Sequence, residues 1–139
     1  MDKGYAVISR AWKKGDVVNM SLPMDVQKIK SNPKVENNIG RVAIERGPLV
    51  YCAEWIDNNG LVSNLLLAPN ASFQTDSMNG MTTLKSTAEA ITIDPNTNAV
   101  SSTTQPLLMI PYYSWAHRGE GEMMVWMPEH ISSIDIISK

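Results

Sequence analysis

The fold class of this chain is decided by residues 41–55, which read RVAIERGPLVYCAEW. Two runs rich in apolar and β-branched residues flank Arg46-Gly47-Pro48. Glycine permits an unusual backbone angle there, and proline lacks the backbone N–H that would donate a hydrogen bond to a neighbouring strand. The second run, residues 49–53, is apolar at nearly every position, which is typical of a strand buried on both faces. We therefore predict strands over residues 41–45 and 49–55, joined by a bulge or bend.

Strand-like patterns continue towards the N-terminus. Residues 5–12 and 17–22 lie on either side of a turn signal, Lys13-Lys14-Gly15-Asp16. In the second run Val18, Met20 and Leu22 face one way while the polar residues between them face the other, which is the period of a half-buried strand. This pattern predicts an N-terminal hairpin.

Short strand candidates also recur towards the C-terminus. Turn signals at Asn79-Gly80 and Asp94-Pro95-Asn96 separate some of them, and residues 99–105 are predicted to be a polar loop. No window keeps a helical period for three turns, so we predict an all-β fold. It would be an antiparallel, jelly-roll-like β-sandwich of about nine or ten short strands, forming one domain over residues 1–139. The remaining candidates are residues 26–30, 65–67, 91–93, 107–113, 123–127 and 131–137.

Composition narrows the possible partners. The 139 residues carry a formal net charge of -2. This gives no excess of Lys and Arg of the kind that binds the phosphates of nucleic acid. No apolar run approaches the roughly 18 residues that span a bilayer, so we expect no membrane partner. The cellular compartment of the protein stays open between periplasm, cytoplasm and secretion.

The cysteine and the two histidines do not suggest a catalytic or metal-binding site. Cys52 is the only cysteine, which excludes an internal disulfide or a cysteine-based metal cluster within this sequence. Because it lies in the most apolar strand, we predict a buried core thiol rather than a nucleophile. His117 and His130 have no carboxylate nearby at ligand spacing, so we predict neither a metal site nor a cofactor.

The acidic residues do not suggest an active site. A retaining glycosidase needs two carboxylates about 5 Å apart across a sugar site. We expect Glu45 and Glu54 on strand edges or outward faces, and Glu120 and Glu122 in solvent around Gly121. The sequence therefore predicts no catalytic residue.

One aromatic group is the best candidate for a contact site. Side chains alternate along a strand, so Tyr113 and Trp115 would share one face and Tyr112 the other. His117 and Arg118 follow and could donate hydrogen bonds. Three interpretations stay open for this group: core packing, a domain interface, or a sugar contact through Tyr113, Trp115, His117 and Arg118.

Several segments, in order, carry a resemblance to a known family. The most specific are ERGPLVYC at residues 45–52 and PYYSWAHRG at residues 111–119, with RAWKKGDVV at residues 10–18 and LPM at residues 22–24 in support. Together they resemble the C-terminal region of glycoside hydrolase family 127 (DUF1680), the β-L-arabinofuranosidases. The likeness spans nearly the whole chain, although residues 58–104 add little recognisable pattern.

The resemblance implies a larger parent enzyme. Its (α/α)6 catalytic barrel would carry the family's catalytic cysteine, its zinc ligands and its acid/base glutamate, and none of these maps onto this sequence. We therefore expect a non-catalytic accessory domain that packs on the barrel and supports homodimerisation. A carbohydrate-binding module for plant glycans is the alternative.

Overall fold

The computed structural model describes residues 3–134, and this part of the chain contains β-strands and 3₁₀ turns but no α-helix. None of its helical segments is long and apolar enough to cross a membrane. The strands are β1 (Val26–Ile29), β2 (Arg41–Arg46), β3 (Leu49–Glu54), β4 (Leu65–Leu66), β5 (Gln74–Met78), β6 (Met81–Ile93), β7 (Val100–Pro111), β8 (Met123–Met124) and β9 (Met127–Pro128). The 3₁₀ turns are Glu36–Asn38, Trp55–Asp57, Tyr112–Ser114 and Ile131–Ser133.

All nine strands belong to one antiparallel sheet with the order β1-β2-β3-β7-β6-β4. β5 pairs with β6, β8 with β3 and β9 with β2. The prediction of an all-β, antiparallel fold is therefore confirmed. Two strands are longer than expected, because β6 and β7 have 13 and 12 residues and form a hairpin in register from Leu84↔Met109 to Ile93↔Val100.

Two short strands, β8 and β9, join the sheet at β3 and β2. β8 and β9 insert where β2 and β3 diverge, pairing Met124 with Ala53 and Met127 with Val42. The end of β4 then meets this insertion, because the Leu67 amide donates to the Pro128 carbonyl at 2.8 Å. As a result, strands that are not neighbours in the sheet contribute to one apolar cluster.

That cluster holds the most deeply buried side chains. Tyr51 is 0% exposed, and its hydroxyl donates to the Thr82 carbonyl at 3.0 Å, which satisfies the polar end of the ring. Each large apolar side chain that is fully buried contributes about 1.5–3 kcal/mol. The other members are Val42, Ile44, Ala53, Val62, Leu65, Leu67, Leu84, Ala88, Leu107, Met109 and Met127.

The bend predicted after β2 is a tight hairpin turn. Arg46 pairs with Leu49, so only Gly47 and Pro48 lie in the turn. Gly47 has φ +57°, and a Cβ there would lie 2.2 Å from the Met24 sulfur. Glycine therefore serves both the backbone angle and the close packing of Met24, which attaches the N-terminal segment to the sheet.

For the N-terminal hairpin, the predicted strands are wrong and the predicted turn is confirmed. Apart from an isolated bridge at Tyr5, residues 5–25 contain no strand. The turn does form, since the Asp16 amide donates to the Lys13 carbonyl at 3.1 Å. A two-stranded hairpin is marginal in water unless a further strand or layer covers its apolar face.

Two other local predictions also fail. Residues 99–105 were expected as a loop, but most of them form the first half of β7. They are mostly exposed and polar, so no apolar alternation marked them, and pairing with β6 supplies their backbone partners. The last predicted strand begins instead with the 3₁₀ turn Ile131–Ser133, and its residues 135–137 lie outside the described part.

Candidate functional site

The four candidate residues follow directly after β7. Pro111 is the last residue of that strand, opposite Tyr51, and the chain then turns through Tyr112–Ser114. The Trp115 amide donates to the Tyr112 carbonyl at 3.1 Å and closes this 3₁₀ turn. We call residues 112–121 the aromatic loop.

The turn changes which rings share a face. A 3₁₀ helix has three residues per turn, so residues i and i+3 lie above one another. Accordingly, the rings of Tyr112 and Trp115 stack, with centroids 5.9 Å apart and planes inclined by 17°. The prediction that Tyr113 and Trp115 share a face opposite Tyr112 was wrong, because the strand ends at Pro111.

The aromatic rings are exposed. Tyr112, Tyr113 and Trp115 keep 46%, 63% and 39% of their surface, and none belongs to the buried cluster. Core packing is therefore not their role in this domain. An interface or a sugar contact remains open for Tyr113 and Trp115, and His117 is exposed in the same loop.

Arg118 lies beside two carboxylates rather than in solvent. Its Nε donates to Glu54 Oε2 at 3.1 Å, and its Nη1 donates to Asp57 Oδ1 at 2.9 Å. Its Nη2 donates to both carboxylates. Four of the five guanidinium N–H groups are thus engaged, which leaves at most one for a ligand.

Glu54 holds the loop from beneath. It is 4% exposed at the end of β3, and its Oε1 accepts the Ala116 amide at 3.0 Å. The expectation that Glu54 lies on an edge or an outward face was wrong, since the aromatic loop covers this end of the strand. We call Glu54, Asp57, Arg118 and the Ala116 amide the clamp.

The clamp also affects charge and backbone. Hydrogen bonding to Asp57, and to a lesser extent to Glu54, raises the pKa of Arg118 although burial lowers it. The guanidinium therefore stays charged between its partners. Ala116 has φ +69°, a left-handed conformation that costs on the order of 1 kcal/mol for alanine and needs support from its surroundings.

The far end of the loop closes on Trp55. The Trp55 amide donates to the Glu122 carbonyl at 3.0 Å. A Cβ on Gly121 would lie 1.9 Å from Trp55 Nε1, so the indole packs directly on the glycine backbone. Glu122 is exposed, as expected, and its Oε2 also accepts the Val62 and Ser63 amides at 3.1 and 3.0 Å.

The clamp carboxylates are engaged by Arg118, and the single thiol is buried. Glu54 and Asp57 share one guanidinium, so both carboxylates are engaged in ion pairs within the domain. Cys52 is confirmed as a buried core thiol at 0% exposure, and burial raises its pKa to about 12. Within residues 3–134, no three His, Cys, Asp or Glu side chains are grouped to hold a metal ion.

Sequence reasoning found the loop but missed what holds it. It named Arg118 as a possible ligand contact, and it overlooked Asp57 and the packing of Trp55 on Gly121. One signal was available: Glu54 ends an otherwise apolar buried strand, and a buried carboxylate requires a partner. Which cation supplies that partner, 64 residues later in the chain, could not be inferred from spacing.

Most of the chain matches the model of a known protein family. The model described as the glycoside hydrolase family 127 C-terminal domain matches residues 26–128. This chain belongs to glycoside hydrolase family 127. The matched range contains the whole clamp and the whole aromatic loop of this family 127 domain, and it begins at the first residue of β1.

Individual relatives agree with the family model. A non-reducing end beta-L-arabinofuranosidase of Bifidobacterium longum subsp. longum is 34% identical over 129 residues, covering 81% of this chain and 20% of that protein. A solved GH127 beta-arabinofuranosidase superposes with a TM-score of 0.86 at 44% identity, over 91% of this chain and 20% of its own. For the GH127 beta-L-arabinofuranosidase of Geobacillus stearothermophilus T6 the TM-score is 0.70, at 35% identity over 78% and 19%.

The lengths of these relatives set the scale of the family 127 domain. The chain spans about a fifth of the length of each of the three. The predicted resemblance to the family 127 C-terminal region is confirmed, and the parent family is a glycoside hydrolase family.

Proposed function

We propose that this chain is the non-catalytic accessory domain of a β-L-arabinofuranosidase-like enzyme, that it packs on the catalytic (α/α)6 barrel of the same polypeptide, and that it takes part in homodimerisation. Its membership of family 127 and its position as a C-terminal domain support this proposal. The clamp carboxylates, which are engaged by Arg118, and the buried Cys52 thiol offer no catalytic group.

The observation that carries the proposal is an exposed aromatic loop held by the partly buried clamp. Tyr112, Tyr113 and Trp115 present apolar surface, while Glu54 and Arg118 fix the backbone beneath them. Aromatic residues are enriched at protein interfaces. A loop that is already ordered loses less conformational entropy on docking, so more of the contact energy remains for binding.

Carbohydrate binding is the second candidate, and the exposed rings are the observation in its favour. Sugar rings stack on flat aromatic faces, and Tyr113 is 63% exposed. However, Tyr112 and Trp115 stack on one another with an offset, so each covers part of one face of the other. The pair is therefore better suited to inserting into an apolar partner surface than to lying under a sugar as a platform.

A pair of substitutions tests docking. In the full-length enzyme that carries this chain, Trp115→Asp should lower the Tm of the transition in which domains separate. In the isolated chain the same change should shift the Tm little, because Trp115 is outside the core. Val100→Asp is the matched control, since Val100 is 52% exposed at the far end of β7. Equal Tm shifts for both variants in the full-length enzyme would contradict docking through this loop.

Isothermal titration separates the second candidate. Arabinose-containing oligosaccharides would be titrated into the isolated chain, into Trp115→Ala and into Val100→Ala. The accessory-domain proposal predicts no heat at millimolar sugar. Saturable binding that is lost only in Trp115→Ala would instead establish a carbohydrate-binding module. Sedimentation of the full-length enzyme and of Trp115→Asp would report whether the same loop supports a dimer.

A further inference from the structure

The N-terminal arm, residues 5–22, leaves an unusual amount of apolar surface uncovered. Its large apolar side chains are between 52% and 76% exposed, which is far from the state of core residues. Exposed apolar residues scattered singly are normal, whereas a contiguous group marks an interaction site. These residues are Tyr5, Val7, Ile8, Trp12, Val17, Val18, Met20 and Leu22.

The tip of the arm is ordered although its two halves are not paired. The Lys13 amide donates to Asp16 Oδ2 at 2.8 Å, and Arg10 forms an ion pair with the same carboxylate at 3.1 Å. The Arg10 guanidinium also lies 5.2 Å from the centre of the Trp12 ring. Gly15, at φ +95°, completes the reversal. The arm therefore has a hairpin turn already formed.

The composition of the two halves suits a β-sheet. Aromatic and β-branched residues make up half of residues 5–12, and residues 18–22 alternate between apolar and polar side chains. Such residues fit a pleated, half-buried surface. The sheet of this domain does not use them, since its edge strand β1 begins only at Val26.

The match to the family model begins between the arm and the sheet. The model of the family 127 C-terminal domain matches from residue 26, so the arm lies before the matched range. The superposition with the solved GH127 beta-arabinofuranosidase covers 91% of the chain, more than residues 26–139 could supply alone. Part of the arm is therefore included in that superposition. This chain covers only 20% of the solved enzyme's chain.

We propose that residues 5–22 form a β-hairpin that completes a β-sheet in the preceding part of the same polypeptide, with Val18, Met20 and Leu22 buried in that unit. This inference rests on the proposed function, because it requires a larger enzyme. Strand addition satisfies the arm's backbone groups while pockets receive alternate side chains. A partner on the same chain has an effective concentration in the millimolar range, which favours it over a second copy.

Hydrogen exchange tests the proposal directly. Amides of residues 5–12 and 17–22 would be followed in the isolated chain and in the full-length enzyme that carries it. We expect exchange near the intrinsic rate in the isolated chain and at least about 100-fold slower exchange in the full-length enzyme. Equally fast exchange in both would overturn the proposal. Protection that appears in the isolated chain as its concentration rises would also overturn it, because the occupant would then be a second copy.

Matched variants identify the buried face. In the full-length enzyme, Met20→Asp should remove most of the protection, whereas Asn19→Asp adds the same charge on the opposite face and should preserve it. Equal losses in the two variants would contradict a hairpin with one buried face. Trp115→Asp, which tests the aromatic loop, should leave exchange of the arm unchanged, so failure of one proposal is distinguishable from failure of the other.

Discussion

At the scale of single residues, the interaction between Glu54 and Arg118 links the fold to the candidate site. Glu54 is buried at the end of β3, where an isolated carboxylate would be strongly unfavourable. Arg118 and the Ala116 amide provide its partners and in doing so fix the aromatic loop. One ion pair therefore both permits a buried charge and positions Trp115.

Removing Arg118 should expose this dependence. Arg118→Ala leaves Glu54 buried without its cation, so we expect a loss of about 2–3 kcal/mol in the free energy of unfolding. The loss is smaller than for a fully buried pair because 26% of the Arg118 side chain is exposed. Urea denaturation measures it, and adding Glu54→Gln should recover part of it.

The control for this prediction is an exposed ion pair. Arg10→Ala breaks the contact with Asp16, in which the arginine side chain is 49% exposed. Such pairs contribute less than about 1 kcal/mol. If Arg118→Ala cost no more than Arg10→Ala, the clamp would not be a structural element.

Cys52 leads to a prediction about pH. Burial raises the pKa of its thiol from an ordinary value of 9.0 to about 12. In the unfolded chain the thiol loses its proton near the ordinary value, so alkaline pH favours the unfolded state. The contribution of Cys52 is complete below about pH 9 and should be lost progressively towards pH 12, at up to about 1.4 kcal/mol per pH unit.

Comparison with Cys52→Ala isolates this contribution. Urea denaturation from pH 7 to pH 11 should show a steeper alkaline loss of stability in the wild-type chain than in the variant. The pKa of Tyr51 is also raised by burial, but Tyr51 is present in both proteins and cancels in the difference. Parallel pH profiles would show that the Cys52 thiol titrates normally in the folded state.

At the scale of elements, the β6–β7 hairpin dominates the sheet. Its strands join the buried cluster through Leu84, Ala88, Leu107 and Met109, while its far end lies in solvent. That end depends on its turn, where Asp94 Oδ1 accepts the Asn96 and Thr97 amides at 2.8 and 3.1 Å. In such a turn the short aspartate side chain accepts hydrogen bonds from backbone amides that have no partner in the neighbouring strand.

Replacing the acceptor should loosen the hairpin end. The two amide hydrogen bonds lower the pKa of the Asp94 carboxyl. Asp94→Ala should lower the Tm by a few degrees and speed hydrogen exchange of residues 99–103. Asp94→Asn keeps an acceptor oxygen without the charge and should stay close to the wild-type Tm. A similar loss in both variants would mean that the charge matters rather than the acceptor.

At the scale of the whole molecule, a β-sheet with a buried core is joined to an arm that it does not bury. The buried cluster lies within residues 26–134, and Met24, between the arm and β1, packs against Gly47. The match to the family model begins at residue 26, close to this change in burial. The domain should therefore fold without most of the arm.

Deleting residues 1–22 tests this separation. The truncated chain keeps Met24 on Gly47, so its Tm should stay within a few degrees of that of the full chain. It should also bind less of a hydrophobic dye such as ANS, because the exposed side chains between Tyr5 and Leu22 are gone. Loss of cooperative unfolding on truncation would show instead that the arm is part of the domain core.

Local patterns were sufficient wherever apolar periodicity coincided with burial. The sequence by itself predicted β1 to β4, the turn at Gly47 and the core position of Cys52, because each depends on neighbours within a few residues. It also predicted the family from segments such as ERGPLVYC. It did not reveal the first half of β7, because an exposed strand of Ser and Thr carries no apolar alternation.

The tertiary structure alone decided the rest. The stack of Tyr112 on Trp115 depends on where β7 ends, and the clamp joins Glu54 to Arg118 across 64 residues. The exposure of the apolar side chains in the N-terminal arm likewise depends on the sheet, whose nine strands do not include the arm. Each of these features is set by which distant surfaces meet, and pairing over long sequence separations leaves no local periodic signal.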